Sequence, residues 1–134
     1  GIRMEFSFPW PVSQGEWLAW SSAVVTLAFG LALFFAPGLC FRLLRLQPKP
    51  EKPAAIAEGR GRMAGFYLGT GLSCLLLAQP FLYIALGLSW ALTAFGRLVS
   101  MLSDGGNRLY NWVALAVEIL LAAGPLLFAF GFVG

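Results

Sequence analysis

Residues 110–133 read YNWVALAVEILLAAGPLLFAFGFV, twenty-four positions carrying one charged side chain, Glu118. A helix of that length is about 36 Å long, enough to cross a hydrocarbon core of about 30 Å. The run lacks the period-2 alternation of a lipid-facing strand. Backbone that meets lipid must satisfy its own hydrogen bonds, which leaves only helices or closed barrels. The stretch therefore reads as a membrane-spanning helix with a carboxylate sunk into it.

Three comparable stretches lie upstream, at about 17–36, 63–79 and 81–102. Pro37-Gly38 closes the first, and Ser103-Asp104-Gly105-Gly106-Asn107 closes the third. The second and third are separated only by Gln79-Pro80. Proline disfavours helical backbone at the residue before it, so a break is expected there. One unbroken helix in its place would be far too long for a single crossing. The expected fold class is an all-α integral membrane protein, a four-transmembrane-helix bundle forming one domain over 1–134. Composition agrees: 59% of residues are hydrophobic and 11% charged, against about 25% charged in a soluble domain. Too few polar side chains remain to coat a water-facing surface.

Charge sets the expected orientation. The connection 39–62 holds Arg42, Arg45, Lys49, Lys52, Arg60 and Arg62 against Glu51 and Glu58, a net +4, while the rest of the chain carries −1. The positive-inside rule places this connection in the cytoplasm and both termini outside. Trp10, Trp17, Trp20 and Tyr83 then fall near the outer face, with Tyr110 and Trp112 near the inner one, as an aromatic belt. Within the connection, Leu39, Leu43 and Leu46 share one helical face, and Arg42 and Arg45 share another. Such a segment is expected to lie among lipid headgroups, its two arginines meeting phosphates. A proline-rich linker follows, Gln47-Pro48-Lys49-Pro50-Glu51-Lys52-Pro53. Six basic residues beside a membrane answer to lipid, so no nucleic-acid partner is expected. No cleavable signal peptide is expected, because Pro9, Pro11 and Gly15 precede the first apolar run and no basic segment leads it. Gly1-Ile2-Arg3 before Met4 reads as a cloning remnant.

Much chemistry is excluded. With no histidine, zinc-hydrolase, haem-histidine and histidine-base mechanisms cannot come from this chain alone. Cys40 and Cys74 stand apart and form no CxxC pair, which argues against iron–sulfur and covalent haem attachment. There is no nucleophile beside a base and no glycine-rich phosphate loop. No metal and no cofactor are expected, and catalysis is the weaker reading.

The informative feature is charge at depth. Arg97 lies about 9 Å inside the third helix and Glu118 about 14 Å inside the fourth, counted from the turn that joins them. An ionised group there costs several kcal/mol unless it is paired. Antiparallel neighbours across a short turn bring the two sides together, so Arg97 is expected to pair with Glu118. Ser100 and Asp104 follow Arg97 at i+3 and i+7 on one face. Asn111 precedes Glu118 by seven residues and shares its face. Arg62 and Tyr67 reach a similar depth from the second helix. This cluster admits three roles: a clamp that fixes helix registry, a site for the polar head of a lipophilic molecule, or a path for protons or ions. A second feature is the spacing Gly61, Gly65, Gly69 and Ser73, a small-residue stripe suited to close helix packing, within the bundle or with another copy.

Three segments resemble a known family when taken together. They are Arg60-Gly61-Arg62-Met63-Ala64-Gly65-Phe66-Tyr67-Leu68-Gly69, Phe95-Gly96-Arg97-Leu98-Val99-Ser100-Met101-Leu102-Ser103-Asp104-Gly105 and Ala114-Leu115-Ala116-Val117-Glu118-Ile119-Leu120-Leu121-Ala122. The combination is similar to an uncharacterised family of small four-helix bacterial membrane proteins, and more distantly to DoxX-like proteins. The likeness covers the last three helices. It implies a bacterial inner-membrane setting and the same polar cluster, on Gly65, Phe66, Tyr67, Gly96, Arg97, Ser100, Asp104, Gly105 and Glu118, and it supplies no activity. The expected function is therefore non-catalytic: an accessory or scaffold subunit acting through helix contacts, with membrane lipids, a second copy or a larger complex as partners. The alternatives are a binding protein for a quinone, isoprenoid or lipid, and a small oligomeric transporter.

Overall fold

A computed structural model describes residues 9–44, 46, 57–103 and 109–133. Every regular element among them is helical. The first, α1 (Gln14–Phe35), starts at Ser13, whose Oγ accepts from the Glu16 amide at 3.2 Å. The Glu16 carboxylate reaches back to accept from the Val12 amide at 2.9 Å, one residue before the cap, so the Ser-x-x-Glu sequence closes the helix start as a shifted variant of the capping box. Pro37 ends α1 and opens a seven-residue helix, α2 (Pro37–Leu43). A π-helical turn, Gly59–Met63, leads into α3 (Ala64–Leu77). Two long helices complete the chain, α4 (Pro80–Ser103) and α5 (Leu109–Ala129).

The break expected at Gln79-Pro80 is present. Ala78 takes a left-handed conformation, φ 48°, and Pro80 occupies the first position of α4, where its missing N–H costs nothing. Other boundaries differ from expectation. Among the described residues, α1, α4 and α5 are the helices that are each long and apolar enough to cross a membrane, so three such helices stand where four were expected. In place of a span over 63–79, α3 has 14 residues, about 21 Å of rise. Glu58, Arg60 and Arg62 and the π turn interrupt its apolar run on one side, and the Ala78 turn cuts it on the other. The last helix stops at Ala129 rather than near Val133. Gly131, at φ 80°, lets the chain fold back. The Gly131 amide donates to the Phe128 carbonyl at 3.0 Å and the Phe132 amide to the Leu127 carbonyl at 2.9 Å, a Schellman closure.

The helices assemble as two consecutive pairs. α1 packs along α3, α4 packs along α5, the pairs meet chiefly where α1 touches α5, and α3 touches α4 little. Small residues make the close approaches. A Cβ at Gly71 would lie 2.9 Å from the Leu27 amide nitrogen of α1, and one at Gly124 2.8 Å from the Leu18 carbonyl oxygen. Gly30 and Gly87 are closed off in the same way by Leu68 and by Leu126. Close backbone contact of this kind is what holds helices together where lipid removes the hydrophobic drive. Gly61, Gly65 and Gly69 have open space within 4 Å of where a Cβ would be. The packing expected of that stripe inside the bundle is made by other glycines.

The α1–α5 seam also solves a hydrogen-bond problem. Pro125 sits inside α5 and has no N–H to give the Leu121 carbonyl one turn earlier. The buried Ser22 hydroxyl of α1 donates to that carbonyl at 2.6 Å instead. Thr26 Oγ1 in turn donates to the Ser22 carbonyl at 2.8 Å and accepts from Trp90 Nε1 of α4 at 2.9 Å. Three helices are thereby joined through buried polar groups that would be unsatisfied in lipid. Tyr83, expected in the outer aromatic belt, is buried edge-on against Phe128. Trp10 and Trp17 both pack on Trp20, with ring centroids 6.0 and 5.4 Å from it.

Candidate functional site

At the end of the bundle that holds α2, the two pairs part and leave a cavity of about 540 Å³. One wall comes from α1, α2 and the start of α3, including Phe29, Leu33, Leu43 and Met63. The opposite wall comes from α4 and α5, including Thr93, Ala114 and Val117. Trp90 forms its inner end, stacked on Tyr67 with centroids 5.7 Å apart and planes at 13°, and Phe29 lies 6.1 Å from Trp90. These large rings hold apart helices that touch through glycine and alanine elsewhere. Phe41 anchors α2 from below: it is buried with Leu33 and Ala64, and a Cβ at Gly59 would strike its ring. The Arg60 Nε adds a second tie, donating at 2.8 Å to the Phe34 carbonyl in the last turn of α1, where helix carbonyls lack partners.

The polar element of the cavity stands on the α4–α5 wall. Arg97 lies two helical turns beyond Trp90 on the same face. Its Nε donates to Glu118 Oε1 at 2.6 Å, its Nη2 to Glu118 Oε2 at 3.0 Å, and its Nη1 to Asn111 Oδ1 at 2.8 Å. The guanidinium also lies 5.9 Å from the Tyr110 ring centroid, within cation–π range. The Glu118 side chain is 9% exposed and that of Arg97 23% exposed. A bidentate pair at this burial supplies each charge with its counter-charge and with fixed geometry. Three of the five guanidinium hydrogens are engaged, and two remain to donate.

The structure thus gathers Arg97, Glu118 and Asn111 into one hydrogen-bonded group, with Tyr67 on the same cavity. It does not gather Ser100 or Arg62. Ser100 is exposed and does not line the cavity. Arg62 is exposed and pairs with Glu58 at 3.4 Å, one turn away on its own helix. Asp104 and Arg45 lie outside the described residues, and Arg42 is exposed on α2. Among the described residues no three His, Cys, Asp or Glu side chains come together as a metal site. Sequence reading missed Trp90, Thr26 and Ser22. A signal for them exists, since Trp90 precedes Arg97 by seven residues, and Pro125 announces a freed carbonyl four residues earlier.

Three apolar helices of spanning length and an ion pair buried between two of them define a helical membrane protein with a polar site inside the bundle. The chain belongs to the family of the domain of unknown function DUF4345, whose family model matches residues 15–130. No curated protein and no solved structure matches the chain.

Proposed function

We propose that the protein binds a lipophilic molecule in the cavity between its two helix pairs, with the polar head of that molecule at Arg97 and Glu118. One observation carries the reading: a cavity of about 540 Å³, within the range of pockets that hold small organic ligands, has apolar and aromatic walls and a single charged pair on one of them. A registry clamp needs the pair but not the space. The setting that fits is a bacterial inner membrane with four passes, α3 crossing only together with the helical turns 57–63 that lead into it, both termini outside and α2 lying among headgroups. A carboxylate and guanidinium locked onto each other as a bidentate pair favour retention of a molecule over its conversion.

The test is native mass spectrometry from mild detergent, with organic extraction of the same sample. The expected result is one amphiphile per chain, lost when Ala114→Phe fills the cavity. Protein that is uniformly free of small molecules would sink the reading. A second reading, association with another membrane helix, is favoured by the outward glycines of α3, which border a groove of about 310 Å³ with Thr70, Leu82 and Ala85 of α3 and α4. Crosslinking through α3 that is unchanged in Gly65→Leu would remove it.

A further inference from the structure

We infer, building on the binding reading just given, that the cavity selects an uncharged head bearing carbonyl oxygens and rejects one bearing a phosphate. Arg97 and Glu118 are the two charged side chains among the described residues that line the cavity, and they cancel. Arginine captures phosphate best through two parallel N–H bonds from one edge of its fork. The edge formed by Nε and Nη2 is already taken by the two Glu118 oxygens, at 2.6 and 3.0 Å. Nη1 gives one of its two hydrogens to Asn111, which leaves one hydrogen on Nη1 and one on Nη2. A phosphate approaching the remaining hydrogens would bring its charge next to the Glu118 carboxylate, in surroundings that screen poorly. It would also leave its own water behind without a counter-charge of its own. A ketone or ester oxygen meets neither cost, because it needs one donor and adds no charge. The two unengaged guanidinium hydrogens supply that donor, and the Tyr67–Trp90 stack and the aliphatic walls accept the apolar part of the molecule.

The experiment offers the protein in non-ionic detergent an equimolar mixture of dioleoylglycerol and dioleoylphosphatidate, which differ only in the phosphate, and reads the complexes by native mass spectrometry. The expected result is a one-to-one complex at least tenfold more abundant with dioleoylglycerol. Glu118→Gln uncovers the arginine charge and should shift that ratio toward phosphatidate at least tenfold. Equal occupancy, or a preference for phosphatidate in the unaltered chain, would overturn the head-group selection and leave the binding reading intact. Binding of neither lipid, or binding that survives Ala114→Phe, would overturn both. The unaltered chain alone decides the preference, so the outcome does not depend on whether Glu118→Gln folds.

Discussion

The two ends of the bundle use the same helices in opposite ways. Where Gly15, Ala19, Ser22 and Ala23 of α1 meet α3 and α5, backbones come into contact and the chain is closed. Seven to ten residues further along α1, the facing side chains are Phe29 and Leu33, joined by Tyr67 of α3, with Trp90 and Arg97 opposite, and the pairs stand apart around a cavity. Side-chain size along each helix sets whether two membrane helices touch or part, because lipid supplies no drive to squeeze them together. The closed end fixes the geometry and the open end holds the polar chemistry.

That contrast can be broken by substitution. The largest effect is expected at the open end, where Glu118→Ala strands the Arg97 charge and should cost about 3–5 kcal/mol of stability. The double variant Arg97→Met with Glu118→Leu should recover most of it while losing the bound amphiphile. Thermal unfolding in one detergent checks both, and a double variant as unstable as the single one would mean that the pair is needed for the fold itself. At the closed end, Gly124→Val drives a side chain into the Leu18 carbonyl and should cost about 3 kcal/mol. Gly65→Val, facing open space, should stay within about 0.5 kcal/mol. Equal losses at the two glycines would erase the distinction between the faces.

The effect expected at the seam is smaller than those of Glu118→Ala and Gly124→Val, and it is the most specific. Ser22→Ala orphans the Leu121 carbonyl and should cost about 1–3 kcal/mol. In a Pro125→Ala background the helix regains its own donor for that carbonyl, so the same change should cost under about 0.5 kcal/mol. A penalty that is the same in both backgrounds would show that Ser22 matters for some reason other than the proline.

The parts of this architecture legible in the sequence were those written in local patterns. Pro80 gave the α3–α4 break through a backbone clash that acts on one neighbour. The meeting of Arg97 with Glu118 followed from counting helical rise on both sides of one turn, and Asn111 followed from a seven-residue spacing. What escaped depended on contacts between distant segments. Nothing local to Gly71 or Gly124 marks them as the glycines that touch, while Gly61, Gly65 and Gly69 carry the regular spacing and face open space. Apolar composition counted 63–79 as a full crossing, but the Ala78 turn and the π turn at Gly59–Met63 leave 14 α-helical residues. Tyr67 lies on the cavity of the ion pair, and its ring stacks on Trp90, a contact that no local pattern announces.

The Ser22–Leu121 hydrogen bond joins positions 99 residues apart. Chains are made from the N-terminus onward, and contacts local in sequence form before distant ones. α1 and α3 can therefore pair while α5 is still unmade, and α4 and α5 can pair across their own turn afterwards. The seam closes last, when the second hairpin docks on the first. Until then Ser22 and Thr26 face lipid with no partner outside their own helix, and the future cavity is an open cleft. On this order the cavity between the two pairs is completed by the same docking step that forms the Ser22–Leu121 bond.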